Sequence, residues 1–267
     1  GNHRCRRVRL VPLGDLPGTV PVRSGPLPAV SNVIRVLLLA LLPFAGNFAG
    51  AALAETLSPS DAWRNRALHA AVGIVFAVVA IEIMPEALEV LAGWQIALAF
   101  LVGGAAYLLA QTIIASRAEG SGRMWMIYLA VATDLFGDGL LIGSGSAVAA
   151  SLGLTLAIGQ VLADVPEGAA TTITFQANGI RRNKRLLLAL MLVLPVVAGA
   201  ALSYVTLRDQ SEALQLSALV ATSGLFAVAV FEDLITEAHE ASEDSRTSTA
   251  FLLVGFAVFT LVSAGLG

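Results

Sequence analysis

Eight stretches of the sequence are too long and too apolar to be the helices of a soluble core. Each is close to the roughly 20 residues that a helix needs to cross a hydrocarbon layer about 30 Å thick. Only 13% of the residues are charged, whereas soluble domains usually carry about 25%. We therefore predict an all-α, polytopic integral membrane protein with about eight transmembrane helices. Their approximate limits are 33–54, 67–88, 94–116, 125–148, 151–178, 185–207, 213–236 and 248–266.

The first 31 residues differ in composition from the rest of the chain. They contain five arginines and five prolines but no apolar run, which is typical of a disordered segment and unlike a signal peptide. We predict a disordered basic, proline-rich arm over residues 1–31 and a transmembrane domain over residues 32–267. The net charge of −3 argues against nucleic acid as a partner. The single cysteine, Cys5, excludes a thiolate metal cluster.

The basic residues of the loops predict the orientation in the membrane. If the amino terminus lies outside, nine basic residues fall in inside loops and only Arg208 falls in an outside loop. The arginines of the arm, and Arg35 at the edge of the first helix, favour the opposite orientation. The loops carry more weight because they agree at four separate places, and the positive-inside rule then puts both termini outside. The expected location is a bacterial inner (cell) membrane.

Two of the apolar segments share a pattern. Residues 37–46 read LLLALLPFAG, and residues 186–199 read LLLALMLVLPVVAG. These belong to the first and sixth segments, so two related copies would cross the membrane in opposite directions, as in many transporters. We predict an inverted repeat of helices 1–3 and 6–8 around helices 4 and 5. Chance recurrence of leucine runs is the alternative.

Acidic residues lie inside the predicted spans, and no Lys or Arg lies at comparable depth. A charged side chain at the bilayer centre costs about 2.5–3.5 kcal/mol, so each must be protonated, reach water or hold a cation. Near the helix ends, for Glu82 and Glu232, protonation or interfacial water is as good an explanation as a cation. The acidic residues are Glu82 in the second segment, Asp134 and Asp138 in the fourth, Asp164 and Glu167 in the fifth, and Glu232 and Asp233 in the seventh.

The spacing of the middle two pairs favours a bound cation. Asp134 and Asp138 are four residues apart, and Asp164 and Glu167 are three apart, so each pair lies on one face of its helix. Two helices can therefore present two carboxylates each to a shared seam, as in carboxylate metal sites of helix bundles. Pro166 has no N–H and frees a backbone carbonyl one turn earlier, and broken helices at this depth expose oxygens to ions in transporters.

The same residues carry a resemblance to a known family. Residues 164–168, DVPEG, resemble the metal-binding motif in helix 5 of the ZIP (Zrt/Irt-like) metal transporters. Residues 134–139, DLFGDG, look like the counterpart in helix 4. Residues 82–87, EIMPEA, are similar to the family's proline–glutamate ending of helix 2, and residues 231–239, FEDLITEAH, to its acidic ending of helix 7. The resemblance covers roughly residues 35–267.

This resemblance implies a transporter of divalent metal cations and not an enzyme. Zinc is the family's default cargo, with manganese or iron as alternatives, and the cation is transported rather than kept as a cofactor. The implied partners are divalent metal ions and the lipid bilayer, with a homodimer as a possible assembly. The candidate metal ligands are Asp134, Asp138, Asp164, Glu167, Glu232 and Asp233.

The sequence also departs from the family pattern. Where the family usually has His-Asn-x-Pro-Glu-Gly in helix 4, this chain has Asp134 for the histidine, Leu135 for the asparagine and Asp138 for the glutamate. Leu194 stands in helix 6 where some members carry a glutamate. A second metal site looks depleted, so we predict one site. An all-oxygen site shifts the expected cargo toward harder cations such as Mn²⁺. The metal, the direction of transport and the coupling ion stay open.

Two other functions fit paired intramembrane carboxylates. A proton-coupled carrier of a small solute could use them to relay protons. An intramembrane aspartyl protease would use two helix-borne aspartates with a Gly-x-Gly-Asp motif, but residues 135–138 lack the first glycine and the chain contains no Tyr-Asp pair. Metal-dependent thermal stabilisation separates the metal transporter from both alternatives.

Overall fold

The protein is all-helical in the part of the chain that the computed structural model describes, namely residues 29–57, 60–118, 123–241 and 245–266. The all-α prediction is therefore confirmed for those residues. Most of the predicted arm, residues 1–28, lies outside them. The first helix begins at Ala29, so the last three residues that were predicted as arm are helical.

All eight apolar stretches of the sequence fall in helices. Two π-helical segments, Val78–Ile83 and Val230–Ile235, join α2 to α3 and α9 to α10 without a break. The α-helices of the described residues are α1 (Ala29–Leu57), α2 (Asp61–Ala77), α3 (Met84–Val90), α4 (Gly93–Ala118), α5 (Arg123–Val148), α6 (Ala150–Ala177), α7 (Arg182–Met191), α8 (Val193–Leu207), α9 (Glu212–Ala229), α10 (Thr236–Ala241) and α11 (Arg246–Leu266).

Six helical runs of the described residues are long and apolar enough to cross a membrane, which indicates an integral membrane protein. Within the described ranges, α5 and α6 are not among these six, and they are the helices that carry the two acid pairs. A count of eight transmembrane helices therefore stays a prediction. The six runs are Asn32–Leu57, Asp61–Val90, Gly93–Ile114, Arg182–Leu207, Glu212–Glu232 and Arg246–Leu266.

Local sequence explains where the second helical run begins and where it changes from an α-helix to a π-helix. Ser60 caps α2, because its side chain accepts a hydrogen bond of 3.3 Å from the backbone N–H of Trp63. Pro85 follows the first π segment. Proline donates no backbone hydrogen bond and its ring collides with the carbonyl one turn earlier, which accounts for the shift to the wider π pattern just before it.

The helices pack in four principal pairs: α1 with α6, α5 with α8, α2 with α11, and α4 with α9. Glycines bring two of these pairs into backbone contact, since a side chain at Gly168 would meet the carbonyl of Asn47, and one at Gly139 would meet that of Val196. α5 and α6 also pack against each other, and α2 and α9 flank them. The two acid-bearing helices therefore lie at the centre of the bundle.

Candidate functional site

The connection between α5 and α6 is a single extended residue, Ala149 (φ −148°, ψ 143°). The two helices run antiparallel from this junction. Residues at equal distances from the junction in sequence therefore lie at similar heights along the two helices. Asp138 and Gln160 are each eleven residues from Ala149. Asp134 and Asp164 are each fifteen residues from it. The short junction therefore sets the register that brings the acidic residues of the two helices together.

A small cavity of about 20 Å³ lies between α5, α6 and α9. The carboxylates of Asp134 and Asp138 from α5, and of Asp164 and Glu167 from α6, line its polar wall together with the amide of Gln160. The opposite wall is apolar and comes from α2, α9 and the second π segment. Among the described residues that line the cavity, none is a lysine or an arginine. Four of the six candidate ligands thus meet at one place.

Most of the polar wall is removed from the surface, although Asp134 is only half-buried. Asp138 and Asp164 are each 2% exposed, and Glu167 is 7% exposed. Asp164 Oδ2 accepts no hydrogen bond from any residue that the structure describes. Such a buried acceptor is costly in a medium of low dielectric constant, so its surroundings suit a cation or a proton donor.

Gln160 is a site residue that the sequence analysis missed. Its side chain is 1% exposed, and its Nε2 donates a hydrogen bond to Oδ1 of Asp138 across the seam between the two helices. The candidate ligands were inferred from charged side chains within the spans, and glutamine carries no charge. The available signal was its position, one turn before Asp164 on the same helical face.

The side chain of Glu232, in the seventh segment, does not belong to this cavity. Glu232 lies in the second π segment with its side chain exposed, and it does not line the cavity. The side chain of Asp233 lies outside the described residues. Glu82, in the second segment, accepts a hydrogen bond from the hydroxyl of Ser263 in α11. The described side chains that α9 and its π extension contribute to the cavity are apolar.

The carboxylates alone do not form a metal-binding cluster. In the described part of the chain, no three of the Asp, Glu, His or Cys side chains come together in an arrangement that could hold a metal ion. A cation in this cavity would therefore take no more than two ligands from the described side chains of these types. The rest of its coordination shell would come from neutral oxygens or water.

A second polar feature joins the end of α1 to the start of α7. Arg185 Nε lies 2.5 Å from Glu55 Oε1, and its Nη2 donates to Glu55 Oε2 at 2.8 Å. The same guanidinium donates to the backbone carbonyl of Ile180. Both side chains are largely buried, at 6% and 13% exposure. This bidentate pair, which connects residues 130 positions apart in sequence, fastens the first and sixth segments together at one end.

Comparison with models of known protein families finds no match, and no curated protein matches the sequence. The resemblance to the ZIP family therefore stands on its sequence motifs alone, residues 164–168 foremost. What the fold and the cavity define is an all-helical integral membrane protein with an acidic cavity at the centre of its bundle.

Proposed function

We propose that the protein transports divalent metal cations across the membrane and binds them in the cavity between α5 and α6. The observation that carries this proposal is the composition of the polar wall, in which four carboxylates and one amide meet without a basic residue among the described lining residues. Buried carboxylates need an opposite charge or a proton to offset the loss of hydration. A divalent cation supplies that charge and is also the cargo.

The size of the cavity favours an ion over an organic solute. A volume of about 20 Å³ is close to the roughly 10–15 Å³ that a single water molecule needs. Pockets for drug-sized organic ligands measure about 300–1,000 Å³. The cavity therefore accommodates one ion or one water molecule in this conformation, which argues against the small-solute carrier and against a protease that must admit a peptide.

The packing pattern supports the inverted repeat that many transporters use. In such a repeat α1 corresponds to α8, α2 to α9, α4 to α11 and α5 to α6. Exchanging each helix with its counterpart converts the pair α1–α6 into α8–α5. The same exchange converts α2–α11 into α9–α4. The four principal pairs are thus unchanged as a set, which an inverted repeat requires. The π segments Val78–Ile83 and Val230–Ile235 are also exchanged, at a constant offset of 152 residues.

Close helix contacts repeat in the same way. In the pair α2–α11, a side chain at Gly73 would meet the carbonyl of Leu252, three residues before Gly255. In the pair α4–α9, a side chain at Gly224 would meet the carbonyl of Phe100, likewise three residues before a glycine, Gly103. Two inverted halves around a central site are the usual basis of alternating access, so this agreement supports a transporter over an enzyme.

Uptake by the purified protein in proteoliposomes tests the proposal. We expect uptake of Mn²⁺ or Zn²⁺ by the parent protein and a loss of about tenfold or more in an Asp164→Asn variant, because a buried ligand charge is removed. Glu232→Gln is the matched control, since this acid-to-amide change lies outside the cavity, and it should transport at the parent rate. Absence of uptake for every divalent cation, or a fully active Asp164→Asn protein, would contradict the proposal.

A further inference from the structure

The amide of Gln160 turns its NH₂ group toward Asp138 in the cavity. This is the orientation that an ionised Asp138 requires, because an ionised carboxylate is an acceptor only. Nε2 of Gln160 donates to Asp138, which directs the carbonyl oxygen Oε1 away from Asp138. This oxygen is buried and accepts no hydrogen bond from the described residues. Gln160 therefore offers a neutral oxygen whose hydrogen-bonding capacity is unused.

A second unused oxygen lies on the same helix. Asp164 is four residues after Gln160, one turn along the same face of α6, and its Oδ2 also accepts no hydrogen bond from the described residues. Both residues line the cavity. Side chains one turn apart have Cβ atoms about 5–6 Å from each other, and a cation holds oxygen ligands at about 2.0–2.6 Å. One ion can therefore lie between the two side-chain oxygens.

We propose that Gln160 Oε1 and Asp164 Oδ2 are ligands of the transported cation, and that Gln160 gives the site a preference for Mn²⁺ over Zn²⁺. This inference rests on the proposed function and specifies its cargo. Asp138 is a positioning residue, because its carboxylate holds the amide in place.

The chemistry of the ligands explains the preference. Amide and carboxylate oxygens suit Mn²⁺ and similar hard cations, whereas Zn²⁺ is bound mainly by nitrogen and sulfur. The described part of the chain brings no three Asp, Glu, His or Cys side chains together for a metal. The neutral oxygen of Gln160 extends the coordination shell without adding another negative charge to the buried cavity.

The test measures the thermal stability of the full chain in detergent while MnCl₂ or ZnCl₂ is titrated. Gln160→Met keeps the length of the side chain but replaces the oxygen ligand with a soft thioether. We expect its apparent affinity for Mn²⁺ to fall by about 10–100-fold, while its affinity for Zn²⁺ falls less or rises. Gln160→Glu retains an oxygen at the same reach and should keep the preference for Mn²⁺.

Gln215→Met is the matched control. Gln215 is a buried glutamine of α9 that donates to the carbonyl of Leu207 at 2.9 Å and does not line the cavity. Its loss should lower the unfolding temperature without changing the ratio of Mn²⁺ to Zn²⁺ affinity. A purely structural role for Gln160 would give the same result as this control.

The outcomes separate this inference from the proposed function. If no divalent cation stabilises the parent protein or enters proteoliposomes, the proposed function fails. If the parent binds Mn²⁺ and Asp164→Asn abolishes binding, but Gln160→Met keeps the parent ratio of affinities, only the role of Gln160 is overturned. If Gln160→Met does not fold, Gln160→Glu decides, because a folded Gln160→Glu protein that has lost the Mn²⁺ preference also overturns it.

Discussion

Single side chains define the acidic cavity and the ion pair of Glu55 and Arg185, and these two features differ in how far the sequence predicts them. The spacing of Asp134 and Asp138, and of Asp164 and Glu167, was enough to place each pair on one helical face. Gln160 was missed because it is uncharged, although its position follows from the short junction after α5. No local pattern links residues as distant as Glu55 and Arg185, so only the fold shows that they are paired.

The ion pair of Glu55 and Arg185 should contribute measurably to stability. Replacing Arg185 with leucine would leave a carboxylate of 6% exposure without its bidentate partner. We expect the free energy of unfolding to fall by about 1.5–3 kcal/mol, the usual value for hydrogen bonds to charged groups. Chemical denaturation of the detergent-solubilised protein measures this change.

Arg208→Leu provides the comparison for that measurement. Arg208 pairs at 3.2 Å with Asp209, whose side chain is 80% exposed, and exposed ion pairs contribute about 0–1 kcal/mol. Equal effects of the two arginine substitutions would mean that the buried pair does not stabilise the fold more than a surface pair does.

At the scale of the elements, apolar length predicted the helices well but not their internal irregularities. Segment limits from the sequence fall inside the observed helices except at residue 178, which lies one residue beyond the end of α6. The interruption at Leu192 between α7 and α8, and both π segments, were not predicted. Hydrophobicity reports which residues avoid water, whereas π segments arise from the hydrogen-bonding register of the backbone. For Val78–Ile83, the following Pro85 was a usable signal.

Close contact between α1 and α6 should make Gly168 sensitive to the smallest substitution. A methyl group at this position would collide with the backbone carbonyl of Asn47, which cannot rotate away. We expect Gly168→Ala to destabilise the protein by about 1–3 kcal/mol through overpacking. At Gly265, near the end of α11, nothing lies within 4 Å of the added atom. Gly265→Ala should therefore be neutral or slightly stabilising, since alanine favours helix, and thermal unfolding of both variants decides.

For the whole molecule, the loop charges predict an orientation that the fold alone does not determine. Asn183 lies exposed in the first turn of α7, in the basic stretch after α6 that the positive-inside rule puts inside. In a Cys5→Ser background, an Asn183→Cys protein should resist an impermeant thiol reagent in intact cells and react after permeabilisation. Gln210→Cys, in the exposed turn before α9, should react in both conditions. Labelling of position 183 in intact cells would invert the orientation.

The geometry of the site depends on the number of residues in the junction between α5 and α6, which is the single residue Ala149. An inserted residue that joined the start of α6 would turn the rest of that helix by about 100° relative to α5 and shift it by about 1.5 Å along its axis. An insertion would then separate Asp138 from Gln160 even though every side chain of the cavity was retained. Surface loops usually tolerate changes in length. This connection does not share that tolerance, so comparison of chains related to this one should find substitutions at the junction more readily than gaps.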